Sequence, residues 1–383
     1  MTERLNSKGI PHPIRPSTWD RILKYVASTE NPSPCLLMDR DMIKEKVSAI
    51  GSGIDNAKVF YAVKANPDTD VVGLLNETGV DFEIASEGEL RILASHGVKG
   101  DRIISSNPVK SVRFLREAFA SGVNRFAFDS ESEVDKLSMN APGCSAYVRL
   151  TVPNEGSEWP LSGKYGVEID DSARLLVYAR ERGLEPIGLT FHVGSQCMNI
   201  YSWDTALDKA RQVWDKAGEA GINLRVLNIG GGYPVRYTKD VMEIEDIEER
   251  INSSIRSRFS EDIEVHIEPG RSVVGEAGTF VASVIGKASR RDENWLYLDV
   301  GVFNGLMESV GGIKYRFLVD SRNEVKKWTV AGPSCDSFDV IDRDVDLPEP
   351  HVGDTVLILS CGAYTVSYAS EFNGFPVPKT ILI

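Results

Sequence analysis

Four short stretches place chemically capable side chains directly after apolar runs. YAVKAN puts Lys64 at the end of one; HVGSQ brings His192 and Ser195; Gly230-Gly231-Gly232-Tyr233 and Glu268-Pro269-Gly270-Arg271 follow two more. A lysine held out of water sheds its charge readily and becomes an amine nucleophile, able to form a Schiff base with a carbonyl. Consecutive glycines let backbone N–H groups approach an anion closely. A carboxylate such as Glu268 beside an anion site needs a cationic partner, and a protonated pyridine nitrogen is one. An amine for an aldehyde, glycines for a phosphate and a carboxylate for a ring nitrogen together describe pyridoxal 5'-phosphate, PLP.

The elements that must position these residues can be read from hydrophobic rhythm. Eight short apolar or β-branched runs occur: Lys58 to Val63, Asp81 to Ala85, Arg102 to Ser106, Arg125 to Phe128, Ala146 to Leu150, Ile187 to Val193, Leu224 to Ile229 and Glu264 to Ile267. Between them lie stretches of helical period such as SEGELRILASHG and SWDTALDKARQVWDKAGEAG, several closed by Gly. The pattern predicts an α/β fold, a (β/α)8 TIM barrel, whose active site lies at the C-terminal ends of the strands and whose phosphate sites follow strands 7 and 8. After Arg271 the rhythm changes to short strand-like runs separated by Gly, Pro and Asp, which predicts a mostly-β, Greek-key-like domain. PSPCLLMD reads as an N-terminal strand able to join that domain. The expected division is 1–36 for the N-terminal segment and strand, 37–275 for the PLP-binding barrel and 276–383 for the β domain.

Of the 383 residues, 43 are basic and 56 acidic, a formal charge of -13 that repels phosphate backbones and argues against nucleic-acid partners. No apolar stretch approaches the ~18 residues needed to cross a bilayer, and the first twenty residues contain no apolar signal-peptide core; the expectation is a cytoplasmic protein without a membrane partner. The five cysteines, Cys35, Cys144, Cys197, Cys335 and Cys361, are odd in number and include no C-x-x-C pair, which argues against a disulfide framework and against a zinc site. No metal is expected.

YAVKAN, FEIASEGEL, HVGSQ, NIGGGYP, EPGR, GPSCDSFD, CGAYT and EFNGF occur along nearly the whole chain. In that order and spacing they resemble the fold-type III PLP decarboxylases, the family of ornithine decarboxylase, lysine/ornithine decarboxylase and diaminopimelate decarboxylase. The resemblance implies that Lys64 is the Schiff-base lysine, that His192 stacks on the cofactor ring and that Glu268 binds the pyridine nitrogen. Ser195, Gly231, Gly232, Gly270, Arg271 and Tyr364 correspond to the phosphate-binding set. Glu83 and Glu89 match acidic positions near the lysine and ring, and Arg149 a residue that helps hold the cofactor.

The resemblance also implies a homodimer with shared active sites, in which Cys335 reaches the partner's site and protonates the α-carbon after CO2 leaves, a role open to a thiol. Asp336 corresponds to the residue that binds the distal ammonium, and its identity as aspartate favours ornithine or lysine, giving putrescine or cadaverine, over diaminopimelate. Phe303, Glu308 and Tyr364 complete the implied substrate contacts. Phe303 replaces a tyrosine of the eukaryotic enzymes, and Gly311-Gly312 stand where bacterial lysine/ornithine enzymes carry acidic residues, so a roomier pocket for a modified or specialised amino acid is the alternative. Lys164-Tyr165-Gly166 resembles the family's mobile loop. A non-catalytic regulatory homologue would be expected to lose Lys64 or Cys335, a racemase lacks the C-D-x-x-D motif of Cys335 to Asp339, and arginine decarboxylases of this fold are expected to be longer.

Overall fold

The computed structural model describes residues 14–383 apart from 31, 162 and 320. Residues 1–13 of the expected N-terminal segment lie outside the described residues. The chain divides into two units. One comprises Glu45–Pro234 and Val241–Gly270; the other comprises the chain through Lys44, Val235–Asp240 and Arg271–Ile383. Strands are numbered along the chain, with β1 at Cys35–Met38 in the second unit.

The first unit holds β2 (Ala57–Ala62), β3 (Asp81–Glu83), β4 (Ile103–Ile104), β5 (Arg125–Phe128), β6 (Ser145–Arg149), β8 (Glu185–Thr190), β10 (Val226–Asn228) and β11 (Glu264–Ile267). The short pair β7 (Ser157–Trp159) and β9 (Ser195–Cys197) stands apart from them. The eight form a parallel sheet in the order β4-β3-β2-β11-β10-β8-β6-β5. A parallel bridge from Ser105 to Phe126 joins its two ends and closes the barrel. All eight runs read from the sequence are strands, shifted by at most a few residues. Burial on both faces explains their continuous apolar character, and Ala127, Tyr147, Ile187 and Val226 form one fully buried cluster.

The helices between these strands begin where the sequence supplies caps. Asp68, Ser86, Ser111 and Ser130 each accept a backbone N–H from the first turn of the helix that follows. At Ser86 the pattern S-x-x-E is used in both directions: Ser86 Oγ accepts from the Glu89 amide at 3.3 Å, and Glu89 Oε2 accepts from the Ala85 amide at 2.6 Å. That cap fixes the turn directly after β3, which carries Glu83.

The second unit contains β12 (Gly278–Arg290), β13 (Glu293–Leu298), β14 (Phe317–Val319), β15 (Val325–Ala331), β16 (Val340–Pro348), β17 (Thr355–Leu359) and β18 (Lys379–Leu382). The sheet order is β14-β17-β12-β13-β15-β16, and β13 pairs parallel with β15 within an otherwise largely antiparallel arrangement. The N-terminal strand joins it as expected: β1 runs antiparallel to β12 and parallel to β18. A helix at Pro16–Ser28, which the strand-like reading of the N-terminal segment does not predict, buries Trp19, Ile22, Leu23 and Val26 against Cys35, Leu37, Val281, Leu357 and Leu359. Its i, i+3, i+4, i+7 spacing was visible in the sequence.

Candidate active site

In the barrel unit, Lys64 sits in the 3-10 turn Val63–Ala65 that directly follows β2, with its Nζ 2.6 Å from Glu83 Oε2. The carboxylate of Glu83 is buried, whereas the lysine side chain is 47% exposed, so the amine opens outward from a buried anchor. On the far side of Glu83, its Oε1 accepts weakly from the Ser106 amide at 3.4 Å. Ser106 Oγ in turn donates to Glu268, and Asn228 Nδ2 donates to the same Glu268 oxygen at 2.5 Å. Ser106 and Asn228 were not foreseen as site residues. Both stand just past, or at the end of, barrel strands, and Asn228 opens the NIGGGYP motif, which was the available signal.

Burial pushes the Glu268 carboxyl above its ordinary pKa, and repulsion from Glu83 adds to this, against the opposing pull of Lys64 and the two hydrogen-bond donors. Such a carboxyl is poised to share a proton with a basic ring nitrogen. Glu89 is raised to about 7, first by burial and then by Glu83. His192 is held well below its ordinary pKa by burial, then by the positive charges of Arg149 and Lys64. Its Nδ1 accepts the Gly194 amide at 3.0 Å, which suits a neutral ring carrying its proton on Nε2.

The glycines after β10 keep the backbone bare. A Cβ on Gly231 would lie 2.5 Å from the Glu268 carbonyl oxygen, and one on Gly232, where φ is +109°, 2.6 Å from the Gly194 carbonyl oxygen. Any side chain there would fill the turn. Ser195 is buried on β9 close by in sequence to this Gly194 contact. Open amine, bare glycine turn and proton-sharing carboxyl converge in one unit, and this donor set fits PLP.

In the second unit, Arg271 and Glu308 are both buried and meet in a bidentate ion pair, Nη1 to Oε2 at 2.7 Å and Nη2 to Oε1 at 2.6 Å. Tyr237 accepts a further hydrogen bond from the guanidinium, which lies 4.8 Å from the Tyr364 ring centroid. Glu308, expected among the substrate contacts, thus has both carboxylate oxygens engaged by Arg271.

The same unit holds Cys335 and Asp336 on an exposed loop. All five cysteines are unpaired; four are buried and Cys335 is exposed. Buried Asp339 organises the loop: its Oδ1 accepts from the Val302 amide at 2.7 Å and its Oδ2 from the Ser334 amide at 2.9 Å. A Cβ on either Gly301 or Gly332 would lie 2.3 Å from that carboxylate, so both loops depend on glycine to reach it. Phe303 follows directly and packs on Phe372 at 4.6 Å and on Phe338 at 6.4 Å between ring centroids.

A closed (β/α)8 barrel with an outward lysine, a bare glycine turn and a buried proton-sharing glutamate, accompanied by a β domain, defines a fold-type III PLP-dependent enzyme. The family described as pyridoxal-dependent decarboxylase, pyridoxal binding domain, matches residues 40–275, and the chain belongs to it: it is a PLP-dependent amino-acid decarboxylase. It is 38% identical over 355 residues to the lysine/ornithine decarboxylase of Selenomonas ruminantium, covering 92% of this chain and 90% of that one. The crystal structure of lysine/ornithine decarboxylase complexed with cadaverine from Vibrio vulnificus aligns with a TM-score of 0.88 at 33% identity, over 97% of this chain and 99% of that chain. The arginine decarboxylase of Paramecium bursaria Chlorella virus, bound to agmatine, aligns with a TM-score of 0.89 at 26% identity, over 96% of this chain and 100% of that chain. That last match corrects one expectation: arginine decarboxylases of this fold are not all longer, so length does not separate them from this chain. Among the described residues no helix is long and apolar enough to cross a membrane.

Proposed function

We propose that the protein decarboxylates lysine or ornithine in the L form, releasing cadaverine or putrescine and CO2. The observation that carries this reading is the consecutive, exposed pair Cys335 and Asp336, which puts a proton donor beside a single carboxylate suited to a distal ammonium. Bound PLP supplies an aldehyde for the substrate amine and an electron-accepting ring for the pair left behind when CO2 departs.

The chain's own residues carry the remaining work. Lys64 is the amine for the cofactor aldehyde, and Glu83 holds that amine in place. Glu268, fixed by Ser106 and Asn228, keeps a proton at the ring nitrogen, while the neutral His192 offers a flat, uncharged face to the ring. Ser195, Gly231, Gly232, Gly270, Arg271 and Tyr364 form the phosphate set, and Arg149 adds positive charge beside the two buried glutamates. Cys335 of the partner subunit delivers the proton to the carbon that has lost CO2. Asp336 and Phe303 meet the distal end of the substrate. The exposed aromatic side chains Phe338 and Phe372, 53% and 40% exposed and both packed on Phe303, support pairing of two copies through this face.

A CO2-release screen of the PLP-loaded protein against L-lysine, L-ornithine, L-arginine, meso-diaminopimelate and the D forms tests the reading. Turnover of L-lysine or L-ornithine above the others is expected; turnover confined to arginine, diaminopimelate or a D form, or of none of them, overturns the assigned substrate.

A further inference from the structure

We infer that Asn373 is a positioning residue for Cys335, holding the thiol as a hydrogen-bond donor in one rotamer. The inference rests on the reading of Cys335 as the proton donor and names what aims it. Asn373 Oδ1 accepts twice from the same residue, from the Cys335 amide at 3.0 Å and from Cys335 Sγ at 3.2 Å. The first bond settles the second. A backbone N–H can only donate, so the atom facing it is the amide oxygen and not the nitrogen. An oxygen that already faces an N–H offers only lone pairs to the sulfur. The sulfur must therefore be the donor, and the contact exists only while sulfur carries its proton.

The backbone reinforces this. Asn373 has φ +55° and ψ +15°, a left-handed conformation that asparagine tolerates better than most side chains. The turn that carries it is tied to the substrate end of the unit: the Ser370 amide donates to the Phe303 carbonyl at 2.8 Å, and Phe372 packs on Phe303. One turn thus fixes Phe303 through Phe372 and Ser370, and Cys335 through Asn373. In the step served, the C–C bond to the carboxylate breaks with loss of CO2. The electron pair left on carbon then takes the proton from Sγ, and the thiolate regains a proton from solvent. A carbon bearing that pair is a far stronger acceptor than an amide oxygen already sharing its lone pairs, so the thiol is released to it when substrate has reacted.

The test uses the PLP-loaded full chain with Asn373→Gly, which accepts the left-handed backbone without strain but removes the acceptor, and Asn373→Asp, which keeps both. The infrared S–H stretching band of Cys335, assigned by its loss in Cys335→Ala, reads the hydrogen bond without turnover. In Asn373→Gly this band should move to higher frequency, and kcat for L-lysine or L-ornithine should fall about tenfold or more with KM within about twofold, less than the roughly 10²–10⁴-fold of a whole general acid because the thiol itself remains. Asn373→Asp should keep the band at or below its wild-type frequency, because a carboxylate is the stronger acceptor, and should retain most of kcat. A band that does not move in Asn373→Gly, or one that moves while kcat is unchanged, overturns the proposal. Wild-type turnover by Cys335→Ala overturns the proton-donor reading beneath it and the proposal with it, and the band separates that failure from the others.

Discussion

Glu308 and Arg271 form a buried bidentate ion pair, with oxygen–nitrogen distances of 2.6 and 2.7 Å, both side chains within 3% of full burial. Arg271 directly follows Gly270 in the EPGR segment, so the pair fixes the guanidinium at the first residue beyond the barrel unit. Removing one partner of such a pair leaves an uncompensated buried charge. Glu308→Ala is therefore expected to cost about 3–5 kcal/mol of stability, seen as a lower urea midpoint, with KM for the amino acid changed less than the midpoint implies. A raised KM with an unaltered midpoint would instead mark Glu308 as a substrate contact.

Asp336 gives the opposite signature. It is exposed, and its Oδ1 accepts only the local Phe338 amide at 2.8 Å among the bonds seen, so Asp336→Ala should stay within about 0.5 kcal/mol of wild-type stability. Its KM for L-lysine or L-ornithine should rise at least about tenfold, the loss of one charge-assisted hydrogen bond, while PLP affinity by absorbance titration stays unchanged. Unaltered steady-state kinetics would exclude Asp336 from the substrate.

Lys110 is fully buried in the barrel unit, 3.0 Å from Glu133, and donates to the carbonyl oxygens of Asn107 at 2.8 Å and Ala127 at 2.5 Å. It pins the loop whose first residue, Ser106, holds Glu268. Burial lowers its pKa to about 8. Lys110→Met leaves Glu133 with Lys136 at 2.5 Å and abandons the two carbonyls, so a loss of about 3 kcal/mol in chemical denaturation is expected.

Glu89 makes a pH-dependent prediction. Its folded pKa, raised from 4.5 to about 7, lies above its unfolded value, so the folded state binds more protons between the two. The contribution to stability is complete below about 4.5 and is lost as pH rises through about 7. Glu89→Gln, fixed in the neutral form, should flatten that loss. In the cofactor-free protein, its melting temperature relative to wild type should be higher at pH 8 than at pH 5, and an equal difference at both would refute the shift.

Much of this was open to reading because the barrel repeats a simple rule. Each strand is a short apolar run, each helix an amphipathic one, and the rule puts Lys64, His192, Gly231 and Glu268 after successive strands without any knowledge of contacts. The β unit obeys no such period, and its first helix was missed although Trp19, Ile22, Leu23 and Val26 share one face. Pairings such as β1 with β12 and β18 join segments about 240 and 340 residues apart, and only the register of hydrogen bonds selects them.

The amino-acid sequence by itself determined the fold class and the cofactor, and it singled out the residues proposed to bind that cofactor and carry chemistry, because strand-end position and residue type are local properties. Only the tertiary structure decided what those residues are held by. Glu308 is a carboxylate at a substrate-like position in the chain, and the fold sets both its oxygens on Arg271. Asn373 and Asp339 look like ordinary loop residues, yet one faces the Cys335 thiol and the other ties two loops through buried backbone amides. Hydrogen bonds between residues distant in the chain exist only once the fold has brought donor within about 3 Å of acceptor, and no spacing along the sequence encodes that distance.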